Sequence, residues 1–171
     1  MTIFHISDLH FNHNRILEFS GNYREGDTVS EHNEILIDKW NSVVTKRDVV
    51  YIHGDVFFGA KVPGIELVSR LKGIKTLIMG NHDRSAKNYL SVFNNVHGFI
   101  KFKGFWLSHA PVHSSELRGM KNIHGHLHSD IVRTGYGDPD DRYVNVCVEQ
   151  CNGFPVAFED IVSGKYKSRS I

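Results

Sequence analysis

Short apolar runs separated by polar, glycine-bearing turns recur along the first half of the chain. Ile3 to Ser7 is apolar enough for a buried strand, and it ends in Ser7-Asp8-Leu9-His10. Phe11 to Val29 has no clean period and is rich in Asn, Gly, Arg and His. It reads as a long loop, and a loop of that length without elements of its own points to function. From Ser30 the period changes. Ile35, Leu36, Trp40 and Val43 fall at helical spacing, Ser30 with Asn33 or Glu34 resembles an N-terminal cap, and Trp40 belongs in the core. Asp48 to Ile52 is a second buried strand, followed by His53-Gly54-Asp55. A helix from Pro63 to Leu71, with proline in its first turn and Gly73 at its end, leads to a third strand, Lys75 to Met79, and then to Gly80-Asn81-His82-Asp83. Each of these three strands therefore ends in polar residues able to bind metal. Structural needs alone do not produce that repetition.

The second half is patterned differently. Ser85 to Phe93 is expected to be helical. After Gly98, the runs Phe99 to Lys103 and Phe105 to Ser108, separated near Gly104, predict a hairpin or adjacent strands opening a second sheet. The latter run ends in His109-Ala110-Pro111. Ser114 to Met120 suggests a short turn or helix before Ile123-His124-Gly125-His126-Leu127-His128. Tyr143 to Val148 is a further strand, Pro155 to Phe158 a candidate for another, and Lys165 to Ile171 reads as a frayed, solvated end.

A length of 171 residues suits one domain spanning residues 1–171, and 40% hydrophobic with 23% charged residues is ordinary for a soluble globular chain. Twenty basic against nineteen acidic residues give a formal charge of +1, which excludes nucleic-acid binding driven by a bulk basic field. Cys147 and Cys151 are too few for a disulfide scaffold and lack structural-zinc spacing, so they read as small apolar fillers near a strand end. The N-terminus lacks the basic region and long apolar run of a signal peptide, and no apolar stretch is long enough to span a bilayer. A cytoplasmic location without membrane contact is expected.

Twelve histidines are many for this length, and their placement matters more than their number. In extended backbone, residues two apart share a face, so His126 and His128 point one way, as do Asp8 and His10. A neutral imidazole is a common metal ligand. Each pair alone could equally be a turn with a solvated Asp or a satisfied core His. Together, Asp8-Leu9-His10, Gly54-Asp55, Gly80-Asn81-His82-Asp83, Ser108-His109 and Gly125-His126-Leu127-His128 closely resemble the ordered blocks of the calcineurin-like metallophosphoesterase superfamily. The resemblance spans residues 8 to 128, and Asn145 to Pro155 looks like the closing strands of small stand-alone bacterial and phage members.

That resemblance implies an α/β fold, a four-layer α/β/β/α sandwich with two mixed sheets flanked by helices. Carried over position by position, Asp8, His10 and His128 would hold one metal, Asn81, His109 and His126 the other, and Asp55 would bridge them. His82 would face the substrate as a catalytic residue, with Asp83 orienting its ring. Two divalent ions about 3.5–4 Å apart need a shared carboxylate to damp their repulsion, and a bridging water, its pKa lowered from about 15.7 toward 7, would be the nucleophile. Ligands of this hardness favour Mn, Fe, Co, Ni or Zn. His124 and His53 lie outside the motifs and read as core or supporting residues. Asn12, His13, Arg15, Arg24, Arg84, His113 and Arg118 are candidate substrate contacts, His13 and Arg118 favoured among them.

The expected activity is dinuclear metal-dependent hydrolysis of a phosphodiester or phosphomonoester by direct attack of metal-bound hydroxide. An open cleft without a cap domain favours an exposed phosphodiester, such as a nucleotide derivative or a nucleic-acid end. The competing reading is a binding or scaffold module of the same fold with a decayed site. Such members lose ligands, and none of the motif ligands is missing here.

Overall fold

The apolar runs form the expected strands around two cores. In the computed structural model, which describes residues 1–168, the order is β1 (Ile3–Ile6), α1 (Ile16–Ser20), α2 (Val29–Val43), β2 (Val49–Ile52), α3 (Lys61–Ser69), β3 (Ile74–Ile78), β4 (Asn95–His97), β5 (Ile100–Phe102), β6 (Phe105–Leu107), β7 (Lys121–His124), β8 (Tyr143–Asn145), α4 (Val148–Cys151), β9 (Val156–Ala157) and α5 (Phe158–Val162). One sheet runs β4-β3-β2-β1-β9, parallel except for β9, and the other runs β5-β6-β7-β8, with only β5 antiparallel. Both sheets are mixed, and helices flank them, as expected.

Alternation within the strands divides the core. Phe4 and Ile6 of β1 pack with Leu36, Ile37 and Trp40 of α2 on the outer face of the first sheet, and the Trp40 indole N–H donates to the Lys72 carbonyl at 2.9 Å. The opposite face of that sheet meets the second sheet through Ile78, Leu107, Ile123, Val144 and Phe158. His5 is also buried in this layer, stacked on Tyr51.

Five expectations are corrected. The cap of α2 lies two residues earlier than Ser30: Thr28 accepts from the Glu31 amide and Glu31 accepts from the Thr28 amide, both at 3.2 Å. The stretch 11–29 is not a featureless loop, because it contains α1. Ser85 to Phe93 holds only a 3₁₀ turn, Ala86–Asn88; the chain instead turns Tyr89 inward, where its ring meets Phe57 and Phe93. The strand expected to reach Val148 ends at Asn145. Its continuation changes sheets: Ser7 donates to the Val146 carbonyl (2.8 Å) and Val148 to the Ser7 carbonyl (3.1 Å). Finally, the terminal segment is tied down as far as Ser168. The Tyr166 hydroxyl donates to the Asn145 carbonyl (2.7 Å) and the Asn145 amide to Ser168 Oγ (2.6 Å), while residues 169–171 lie outside the described range. The hairpin at Gly104 forms as expected, with Lys103 and Gly104 both at positive φ.

Candidate metal centre

Parallel pairing brings the carboxyl ends of β1, β2 and β3 to one edge of the first sheet. The loops beyond them interleave, with Asp8 donating to the Gly54 carbonyl (3.1 Å) and His10 to the Asp55 carbonyl (3.0 Å). The second sheet delivers His109 after β6, and His126 with His128 after β7. The Gly125 amide donates to the His109 carbonyl at 2.7 Å. Close approach explains two glycines. A Cβ on Gly54 would lie 2.6 Å from Gly80 Cα and from His109 Nδ1, and a Cβ on Gly125 would collide with the side chains of Ser7 and Asp8.

All seven expected metal ligands converge. Asp8 Oδ1 lies 3.5 Å from His10 Nε2 and 3.6 Å from His128 Nε2, and Asp55 Oδ2 lies 3.7 Å from His10 Nε2 on one side and 3.5 Å from His109 Nε2 on the other. His109 Nε2 is 2.8 Å from Asn81 Oδ1 and 3.2 Å from His126 Nδ1. Asp8, His10 and His128 form one group able to hold a metal ion, and Asp8, Asp55 and His109 another.

Hydrogen bonding sets which atoms face inward. Asp8 Oδ2 accepts from Ser7 Oγ (2.6 Å), the His126 amide (2.8 Å) and the Cys147 thiol (3.1 Å), while Oδ1 is buried without a partner among the described residues. Asp55 Oδ1 accepts from the His82 amide at 3.0 Å, which turns Oδ2 to the centre. His109 donates from Nδ1 to the His53 carbonyl (2.7 Å) and His128 donates from Nδ1 to Glu149 Oε1 (2.8 Å), so each presents an Nε2 lone pair. His10 Nε2 is likewise buried and unpartnered. Lone pairs therefore meet lone pairs, an arrangement that is costly unless a cation lies among them. This donor set fits divalent metal. Burial opposes ionisation of Asp8, but the imidazoles of His10, His109 and His128 around it outweigh that and hold the carboxyl far below the usual range.

The other expected residues divide. His82 is 44% exposed in its side chain, with Nε2 3.9 Å from Asp55 Oδ2 and its ring 4.8 Å from Phe58, so it stands on the open side of the cluster. Asp83 does not steer that ring, contrary to expectation. Its carboxylate is turned inward, accepting from the amides of Asp55 (2.9 Å), Gly80 (2.8 Å) and Val56 (3.2 Å) and from the Tyr89 hydroxyl (2.6 Å). Four donors saturate it, and it acts by joining the turns after β2 and β3. His13 reaches the site, stacked on Phe58 at 4.2 Å and 5.4 Å from the His10 ring. Arg118 does not. It is 73% exposed, pairs with Glu116 at 3.5 Å, and makes no hydrogen bond or ion pair to a candidate ligand among the described residues.

Arg24 departs furthest from the expected substrate contact. Its fully buried guanidinium donates to Glu149 Oε1 (2.8 Å) and to the carbonyls of Asp8 (2.8 Å) and Leu9 (3.2 Å), and lies 3.2 Å from His32 Nε2. Burial would raise Glu149, but the bond from His128 and the charge of Arg24 hold it at about 2. Sequence reasoning missed Glu149. The one available signal was an acid inside the otherwise apolar run after Asn145. His53 also supports the site, with its ring between His5 (2.9 Å) and the Ser108 carbonyl (3.1 Å) and its own carbonyl holding His109. Cys147 fills space as expected, and its thiol also bonds Asp8.

Among the described residues, no helix is long and apolar enough to cross a membrane. Uncharacterized protein MJ1445 of Methanocaldococcus jannaschii is 34% identical over 164 residues, covering 94% of this chain and 89% of that protein. The gene 66 protein of Mycobacterium phage L5 is 33% identical over 162 residues, covering 74% of this chain and 77% of its own. The crystal structure of AQ665 from Aquifex aeolicus, a protein of unknown function, superimposes with a TM-score of 0.72 at 22% identity, over 95% of this chain and 98% of that one, and so shares the fold. The profile of the calcineurin-like phosphoesterases matches residues 1–158, and with the ligand blocks assembled at one edge of the paired sheets, the chain belongs to that family.

Proposed function

We propose that the protein hydrolyses a phosphate ester at a centre of two divalent ions, with Asp8, His10 and His128 at one position, Asn81, His109 and His126 at the other, and Asp55 between them. The carrying observation is the inward-facing set of acceptors, led by the unpartnered Asp8 Oδ1 and His10 Nε2 and by Asp55 Oδ2 lying between His10 and His109. When bound, such ions lower the pKa of a coordinated water and neutralise phosphoryl charge. The chain's own residues supply the rest. The Nδ1–H bonds of His109 and His128 fix their tautomers. Asp83 holds the turns that carry Asp55 and Asn81 in register. His82, on the open side, donates a proton from its ring to the leaving oxygen. Attack by water on phosphorus needs no covalent enzyme intermediate. The open face beside His82 and His13 favours an exposed phosphodiester, such as a nucleotide derivative or a nucleic-acid end.

The test is hydrolysis of bis(p-nitrophenyl) phosphate by purified protein with Mn²⁺, alongside metal analysis. Metal-dependent turnover is expected, with about two ions per chain. Two ions without turnover of chromogenic or nucleotide esters would transfer support to a binding module.

A further inference from the structure

We propose that the groove leaving the centre beside His82 is a subsite for a second phosphate group, so that the natural substrate is an ester bearing at least two phosphates. This rests on the phosphoesterase reading above and narrows it to a substrate class.

The groove, with a volume of about 300 Å³, opens at Asn81 and His82, is walled by Phe58 and Tyr89, and carries Lys61 and Arg84 on its lining. No carboxylate lines it. Among the described residues, its two cations lack the acidic partner that five of the arginines have, as do surface cations such as Lys46 and Lys87, and differ from those in lying beside the candidate metal ligands. Arg15, Arg24, Arg70, Arg118 and Arg142 each pair with a carboxylate, whereas Lys61 and Arg84 make no ion pair or side-chain hydrogen bond among the described residues. The chain as a whole is close to neutral, at +1, so these charges are not a share of a general surplus. Placement gives them direction. Arg84 follows Asp83 directly, whose saturated carboxylate fixes the turn after β3, and Lys61 opens α3 just beyond Phe58. A substrate whose scissile phosphate lay among the metal ligands and whose substituent left past His82 would bring its next anionic group to this pair. A guanidinium fork and an ammonium suit a phosphate, and the half-buried Phe58 wall suits the sugar or carbon chain between two phosphates.

The experiment compares two diesters that differ only in the nucleoside that leaves past His82, the methyl ester of thymidine 5′-phosphate and the same compound with a 3′-phosphate, with the released thymidine or thymidine 3′-phosphate measured by chromatography. For the Mn²⁺-loaded protein, kcat/KM for the bisphosphate is expected to exceed that for the monophosphate by about tenfold or more, the worth of a charge-assisted contact. The advantage should shrink as salt rises from about 0.05 to 0.5 M, because exposed charges are screened. In the double variant Lys61→Gln, Arg84→Gln, with an unchanged Tm and metal content, the ratio between the two esters should fall close to one. A third ester, whose 3′-phosphate is joined to a second nucleoside, separates the sources: equal preference assigns an oligonucleotide, and loss of preference assigns a terminal phosphate.

Calorimetric titration of thymidine 3′,5′-bisphosphate against thymidine 5′-monophosphate distinguishes failure of this subsite from failure of the phosphoesterase reading. Turnover without a bisphosphate preference in either assay, or a preference that survives the double variant, overturns the subsite alone. Absence of turnover with a binding preference that the variant abolishes keeps the subsite and removes the enzyme.

Discussion

Asp8, His10, Asp55, His126 and His128 all adopt positive φ, between 49° and 69°, and they make up five of the nine non-glycine residues that do so among the described residues. Each such conformation costs on the order of 1–2 kcal/mol, so the chain concentrates backbone strain where side chains must turn inward on short loops. The residue types that converge at the centre, and their order, were legible because each motif is local. The direction of Asp83 was not, since its partners Asp55 and Gly80 are set by the pairing of β2 with β3. Nor was the absence of Arg118 from the site, because spacing does not show that its loop folds onto Glu116. Two predictions belong at this scale. Asp55→Asn should depopulate both metal positions while preserving shape, checked by metal analysis after gel filtration; a variant retaining two tight ions would contradict the shared carboxylate. His82→Ala should keep its metal and lose turnover by about 10²–10⁴-fold, the usual worth of general acid–base catalysis, with poor leaving groups hit hardest. Equal losses across a series of leaving groups would argue against proton donation.

The elements tie these residues together through contacts that periodicity does not reveal. Arg24, in the turn before α2, and Glu149, in α4, are 125 positions apart yet share a hydrogen bond that anchors His128. A pattern of apolar spacing contains no such term, which is why Arg24 read as a candidate substrate contact. Glu149→Ala should weaken metal binding by about 10–100-fold, as loss of a carboxylate behind a ligating His does. Competition with a chelator measures this, and Glu149→Gln, which keeps an acceptor for His128 Nδ1, should recover part of the loss. The start of β2 offers a pH-linked test. Asp48 accepts from the Thr2 amide (2.7 Å), the Thr45 amide (2.8 Å) and the Thr45 hydroxyl (2.7 Å), and these bonds hold its carboxyl at about 2. Because the folded value is depressed, its stabilisation is present in full above the ordinary carboxylate range and is lost as pH falls toward 2. Thermal melts of Asp48→Asn against the parent should differ most at pH 5 and converge near pH 2; a constant gap would exclude the linkage.

At the scale of the molecule, the centre lies on the seam between the sheets. The strands and the two-sheet division could be read from alternation and from the change of pattern after Gly98. The change of sheets at Val146 to Val148 could not, because an apolar run looks the same whichever sheet it pairs with. That crossing seats Cys147 against Asp8, fully buried, with burial and the neighbouring carboxylates pushing its thiol far up. An alkylating reagent therefore meets an uncharged, enclosed sulfur for as long as the two halves stay joined. The rate at which iodoacetamide labels Cys147, read by mass spectrometry with Cys151→Ser to leave a single thiol, becomes a clock for parting of the halves. Added Mn²⁺ should slow that clock, since the ion binds only the joined form.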